Sequence, residues 1–110
     1  MIYTINLSNY NPLYQTIAIK SFKLNATRRL RTFQFGTTEK LLDSYLRDQY
    51  QVSLKQACYL IICSCTVEKS KDSVVIFLKD RTIDKLARLI TFGTGKILGS
   101  QILARILNKL

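Results

Sequence analysis

The side chains best suited to chemistry are three thiols, Cys58, Cys63 and Cys65, and they stand in a chain without histidine. A thiol nucleophile then needs its base from a lysine or from paired carboxylates. The carboxylates are scattered. Asp80 and Asp84 fall where a helix start favours negative charge, and Asp43 with Arg47 has the spacing of an i,i+4 helix pair. A tetrahedral zinc site is poorly served, because Cys-x4-Cys-x-Cys has neither a second knuckle nor a histidine. An odd number of crowded cysteines is no disulfide framework. On a strand, Cys63 and Cys65 would share a face without bridging. The expectation is a non-enzymatic chain with buried, reduced thiols and no metal or cofactor.

Gly93-Thr94-Gly95-Lys96 invites comparison with a phosphate loop. Such a loop needs glycine where Ile90 stands and serine or threonine where Ile97 stands, and it follows a strand. This segment follows a helical pattern, so it is not read as a nucleotide site.

Charge is the unusual feature of the composition. Seventeen Lys and Arg face seven Asp and Glu, a net of +10, and no acid precedes Glu39. A bias of that size favours an anionic partner. Arg28-Arg29-Leu30-Arg31-Thr32-Phe33-Gln34-Phe35 is the best basic-aromatic stretch. If it forms a strand, Arg29, Arg31, Phe33 and Phe35 share one face, where cations meet phosphates and rings stack on bases. With Lys20, Lys23 and Arg28, these residues make up a candidate nucleic-acid surface. The competing reading sends the rings into the core and leaves the Arg stems along its edge.

The elements that must position these groups are read from periodicity. Ile2 to Leu7 alternates as a strand, and Ser8 to Pro12 is a turn cluster. Thr16–Leu24 and Arg28–Phe35 are read as further strands. A helix begins at Thr37 or Thr38 and runs to about Tyr50. Tyr59–Val67 and Val74–Leu78 form a hairpin across the polar turn Glu68 to Asp72. Thr82 caps a helix that Gly93 stops, and Ser100 caps a last helix ending at Leu110. The expected fold is a single α+β domain spanning 1–110, with an antiparallel sheet, a central hairpin at Tyr59–Leu78 and two C-terminal helices packed on one face. The longest apolar run, Ala57 to Cys63, is seven residues, too short to span a bilayer.

The segment from Ile83 to Lys96 resembles the helix ending in an aromatic-Gly-Thr turn that small neck and tail-completion proteins of tailed phages carry after their β-hairpin. Ile97 to Leu110 then stands where that family has a loop and a closing helix. Thr91 replaces the family's Glu before the aromatic residue. The resemblance implies a structural subunit of a head–tail connection, a virion protein assembled in the host cytoplasm, whose partners are other subunits of a ring. It carries over no catalytic residue. From the residues themselves, Phe92, Gly93, Thr94, Lys96, Ile97 and Leu98 are the candidate interface, because apolar side chains beside a cation on a glycine-flanked loop fit a contact surface. The alternative is a small basic nucleic-acid-binding protein. Either reading otherwise places the chain in the cytoplasm.

Overall fold

Asn11 accepts the Leu13 N–H at 2.9 Å, and Pro12 occupies the first helical turn, where its missing N–H costs nothing. The turn cluster therefore launches a helix and not a strand. In the computed structural model, which describes residues 1–110, the elements run β1 (Ile2–Asn6), α1 (Pro12–Lys20), α2 (Phe22–Thr32), α3 (Thr37–Tyr50) and α4 (Leu54–Ser64). They continue with β2 (Thr66–Lys69), β3 (Ser73–Phe77), α5 (Arg81–Phe92) and α6 (Ile102–Leu107).

This overturns the expected architecture of a sheet built around a hairpin at Tyr59–Leu78 with only two C-terminal helices. The chain has six helices and a three-stranded antiparallel sheet of order β1-β3-β2. Thr16–Leu24 and Arg28–Phe35 are not strands. Ala18, Phe22, Ala26 and Leu30 are the buried positions there, four residues apart. A spacing of four satisfies both a period of two and a helical period, so the alternation was ambiguous. Leu24 resolves it, since it points outward at 52% exposure where a strand would have turned it in.

Tyr59–Ser64 is likewise helical. Ser53 and Gln56 form a reciprocal cap, with Ser53 N–H donating to Gln56 Oε1 at 2.8 Å and Gln56 N–H to Ser53 Oγ at 3.0 Å. From that start, Leu54, Ala57, Cys58, Ile61, Ile62 and Cys65 bury at helical spacing. The hairpin itself is shorter, pairing Thr66 with Phe77 and Lys69 with Val74. Its turn is closed by Ser70 N–H donating to the Ser73 carbonyl at 2.9 Å.

β3 is the central strand, and β1 pairs with its other edge in the register Ile2↔Phe77 and Ile5↔Val74. One sheet face contributes Ile5, Val74 and Ile76 to the core. α4 is the hub on the helical side, packing against α2, α3 and α5, while α6 packs between α2 and α5. No helix is long and apolar enough to cross a membrane.

Candidate interaction surfaces

Four of the seven acids, Glu39, Asp43, Asp80 and Asp84, have partners that tie the fold together. Asp43 pairs with Arg47 at 2.9 Å and accepts the Leu54 N–H at 2.7 Å. Asp80, and not Thr82, caps α5 by accepting the Ile83 N–H at 3.0 Å. Asp84 binds the Met1 α-ammonium and Arg88, and these two cations hold its carboxyl below the usual carboxylate range. Glu39 accepts the Gly36 N–H at 2.8 Å with one oxygen and the Ser100 hydroxyl at 3.0 Å with the other. It thereby ties the start of α3 to the start of α6. Cys58 is buried, and desolvation pushes its thiol up to about 12. Burial raises Cys65 as well. Cys63 differs from the expectation: it lies on the outer side of α4 and is exposed.

The basic stretch has two functions, divided along α2. Lys23 Nζ donates to the Cys63 carbonyl at 3.0 Å. Arg29 Nε and Nη2 both donate to the Ile106 carbonyl, at 3.0 and 2.9 Å, and Nη2 also reaches the Lys109 carbonyl at 3.0 Å. Lys55 of α4 returns the pattern by donating to the Arg31 carbonyl at 3.2 Å. Each acceptor lies at or just beyond the last turn of a helix, where carbonyls lack intrahelical partners and the helix dipole is negative. Three cations thus cap the C-terminal ends of neighbouring helices. Burial of the Arg29 guanidinium lowers its pKa, with the ionisable phenol groups of Tyr14 and Tyr10 acting the other way.

Phe33 and Phe35 follow α2 in extended chain and meet edge to face, 6.3 Å between centroids, half-buried against the core. They do not share a strand face with Arg29 and Arg31. An open cleft of about 540 Å³ lies between this segment and α6, lined in part by Arg29, Arg105 and Lys109. It faces the carbonyl end of α6, which disfavours an anion. Lys20, Arg28 and Arg31 remain exposed and without an ion-pair partner.

The loop after α5 is tightly constrained. Gly93 has φ 71° and ψ −160°, a region open essentially to glycine alone. A Cβ there would fall on the Ile97 carbonyl oxygen, and one on Gly99 would fall on the Thr91 carbonyl. The close approach is held by Thr94 N–H donating to the Ile97 carbonyl and Ser100 N–H to the Ile90 carbonyl, each at 2.8 Å. Thr94 Oγ1 accepts the Lys96 and Ile97 N–H groups at 3.1 and 3.2 Å. The Gly93, Thr94, Lys96 and Ile97 amides are thereby engaged internally and not presented to an anion. Among the candidate interface residues, Ile97 turns in and packs against the core, while Phe92 and Leu98 stand out at 69% and 77% exposure. Thr94 and Lys96 are exposed at the tip.

A surface missed by the sequence reading lies on α1, α2 and α4, where Leu13, Ile17, Leu24, Tyr59 and Leu60 are exposed. Its signal was present in the spacing 13, 17, 20, 24, 28 and 31, which follows one side of a helix. No family model, curated protein or solved structure matches the chain.

Proposed function

We propose that this protein is a non-enzymatic structural subunit that joins a larger protein assembly through the loop following α5. The observation that carries this is the fixed presentation of Phe92 and Leu98. Two large apolar side chains protrude from a backbone that glycine packing and internal hydrogen bonds hold in one shape. A preorganised apolar pair loses little freedom on docking, and bulky apolar anchors of this kind centre protein interfaces. Lys96 stands at the rim, where a charge is tolerated.

The assembly we assign is the head–tail connection of a tailed-phage virion, formed as a ring. The order of elements supports it: hairpin β2–β3, then α5 ending at Phe92-Gly93-Thr94, then a loop and the closing helix α6. Nucleic-acid binding draws on fewer residues than the sequence suggests, since Lys23 and Arg29 are engaged as helix caps. The test is light scattering and electron microscopy of the purified chain beside Leu98→Asp and Phe92→Ser. Discrete oligomers that either substitution reduces to monomers are expected. A wild-type chain that stays monomeric, alone and with head or tail subunits, would overturn the reading.

A further inference from the structure

We infer that the face formed by α1, α2 and α4 is a docking surface for an anionic phospholipid bilayer. The two longer helices run antiparallel across it, since Lys23 meets the Cys63 carbonyl and Lys55 meets the Arg31 carbonyl. α1 leads into α2 with helical hydrogen bonds on both sides of Ser21: Ser21 N–H donates to Ile17 and Asn25 N–H to Ser21. Of the eleven large apolar side chains that are exposed in the whole protein, six lie on these three helices. The same helices carry Lys20, Arg28 and Arg31 as exposed cations, beside Lys23 and Lys55 at their helix-end carbonyls, and not one carboxylate.

The chemistry selects the partner. Leu13, Ile17, Leu24 and Leu60 have nothing to pack against in a phosphate groove, so nucleic acid leaves them unsatisfied. A protein partner is also a poor fit, because interface cores are depleted of charge and of lysine in particular. Here Lys20 follows Ile17 by three residues and Arg28 follows Leu24 by four, one helical turn in each case. The boundary between headgroups and acyl chains accepts both at one depth. Aliphatic side chains enter the acyl layer, tyrosines such as Tyr14 and Tyr59 sit at headgroup level, and Lys and Arg extend to anionic phosphates. The absence of acid on this face removes the repulsion that would oppose it. This surface lies apart from Phe92 and Leu98, so the inference stands whatever assembly the loop joins.

Cys63 is the exposed thiol on this face and provides the probe. The whole chain, labelled there with an environment-sensitive fluorophore, is titrated with vesicles of phosphatidylcholine and phosphatidylserine, and co-sedimentation of the unlabelled chain checks the result. Saturable binding with a blue shift is expected, weaker by about tenfold or more on phosphatidylcholine alone. The pair Arg28→Ala with Arg31→Ala reduces affinity by about tenfold or more. The pair Ile17→Ser with Leu24→Ser does so by about tenfold, with an unchanged melting curve, since both side chains are already exposed. No binding to the anionic vesicles overturns the inference. So does binding indifferent to Ile17→Ser with Leu24→Ser, which would reflect charge alone. A single-stranded oligonucleotide that displaces the vesicles and binds more tightly would assign the face to nucleic acid instead.

Discussion

Arg29 of α2 and the carbonyl of Ile106 in α6 are joined by two hydrogen bonds, at 3.0 and 2.9 Å. A side chain that reads in sequence as one cation of a basic run is in fact the clamp on the C-terminal helix. Removing it strands carbonyls at a helix end and loosens the packing of Leu103, Ile106 and Leu107. Arg29→Ala is expected to lower stability by about 2 kcal/mol in urea denaturation. Arg28→Ala, at the neighbouring exposed position, should stay within about 0.5 kcal/mol of wild type.

The glycines of the α5–α6 loop divide by backbone geometry. Gly93→Ala meets both a forbidden φ and the Ile97 carbonyl, and should cost about 2 kcal/mol or more. Gly99→Ala meets backbone at Thr91 and should also destabilise. Gly95 has open space around it, so Gly95→Ala should be nearly neutral. Thermal melts of the three variants distinguish a rigid loop, which gives this order, from a mobile one, which gives three similar values.

Adjacent residues on that loop should behave in opposite ways. Ile97 packs on the core, so Ile97→Asp places a carboxylate against apolar side chains and should cost about 2 kcal/mol. Leu98→Asp replaces an exposed side chain and should leave stability within about 0.5 kcal/mol while abolishing assembly. Melting curves read beside light scattering separate the two. Equal destabilisation by both would remove the distinction between the inner and outer sides of the loop.

What was legible in the sequence follows from how many physical signals agreed at each place. At Ile2–Asn6, alternation stood alone and was sufficient. Over α3, helical spacing of Leu42 and Leu46 agreed with a start near Thr37, although Gly36 is the residue at the cap position. The turn between β2 and β3 was marked by consecutive polar residues. α1 and α2 failed because Ala18, Phe22, Ala26 and Leu30 recur every fourth residue, which strand and helix templates both accept. α4 failed because Tyr59 to Thr66 is rich in β-forming types, although the Ser53–Gln56 cap preceded it. The loop surface was partly legible, since Gly93 was readable as a positive-φ stop but Ile97 and Leu98 could not be assigned to opposite sides. The helix-capping tasks of Lys23, Arg29 and Lys55 depend on contacts between distant segments and leave no local trace.

Thiol reactivity should follow burial. Cys63 should take one equivalent of a bulky thiol reagent in the native protein, with Cys58 and Cys65 reacting only after denaturation. Cys58, at about 12, holds almost no thiolate at neutral pH. Mass spectrometry after timed labelling checks this, and a second rapid adduct would show that α4 opens on that timescale.

Asp84 predicts the acid limb of stability. Its folded pKa is depressed by hydrogen bonds from the Met1 α-ammonium and Arg88, so it stabilises the fold above its unfolded pKa. That contribution is lost as pH falls through the lower, folded value. Asp84→Asn should therefore be less stable than wild type near neutrality, and the two should converge in acid. Parallel stability curves across the acid range would show that the carboxylate is not coupled to folding.

The pairing of β1 with β3 bears on how the chain is made. Ile2 pairs with Phe77, so β1 is synthesised roughly seventy residues before the strand it pairs with. Four helices and β2 separate the two strands in sequence, whereas β2 meets β3 across a short turn. Closing a segment of that length carries an entropic toll that local hairpins and helices avoid. During translation β1 therefore emerges unpaired, with Ile2, Tyr3 and Ile5 lacking their β3 neighbours until the middle of the sheet has been made.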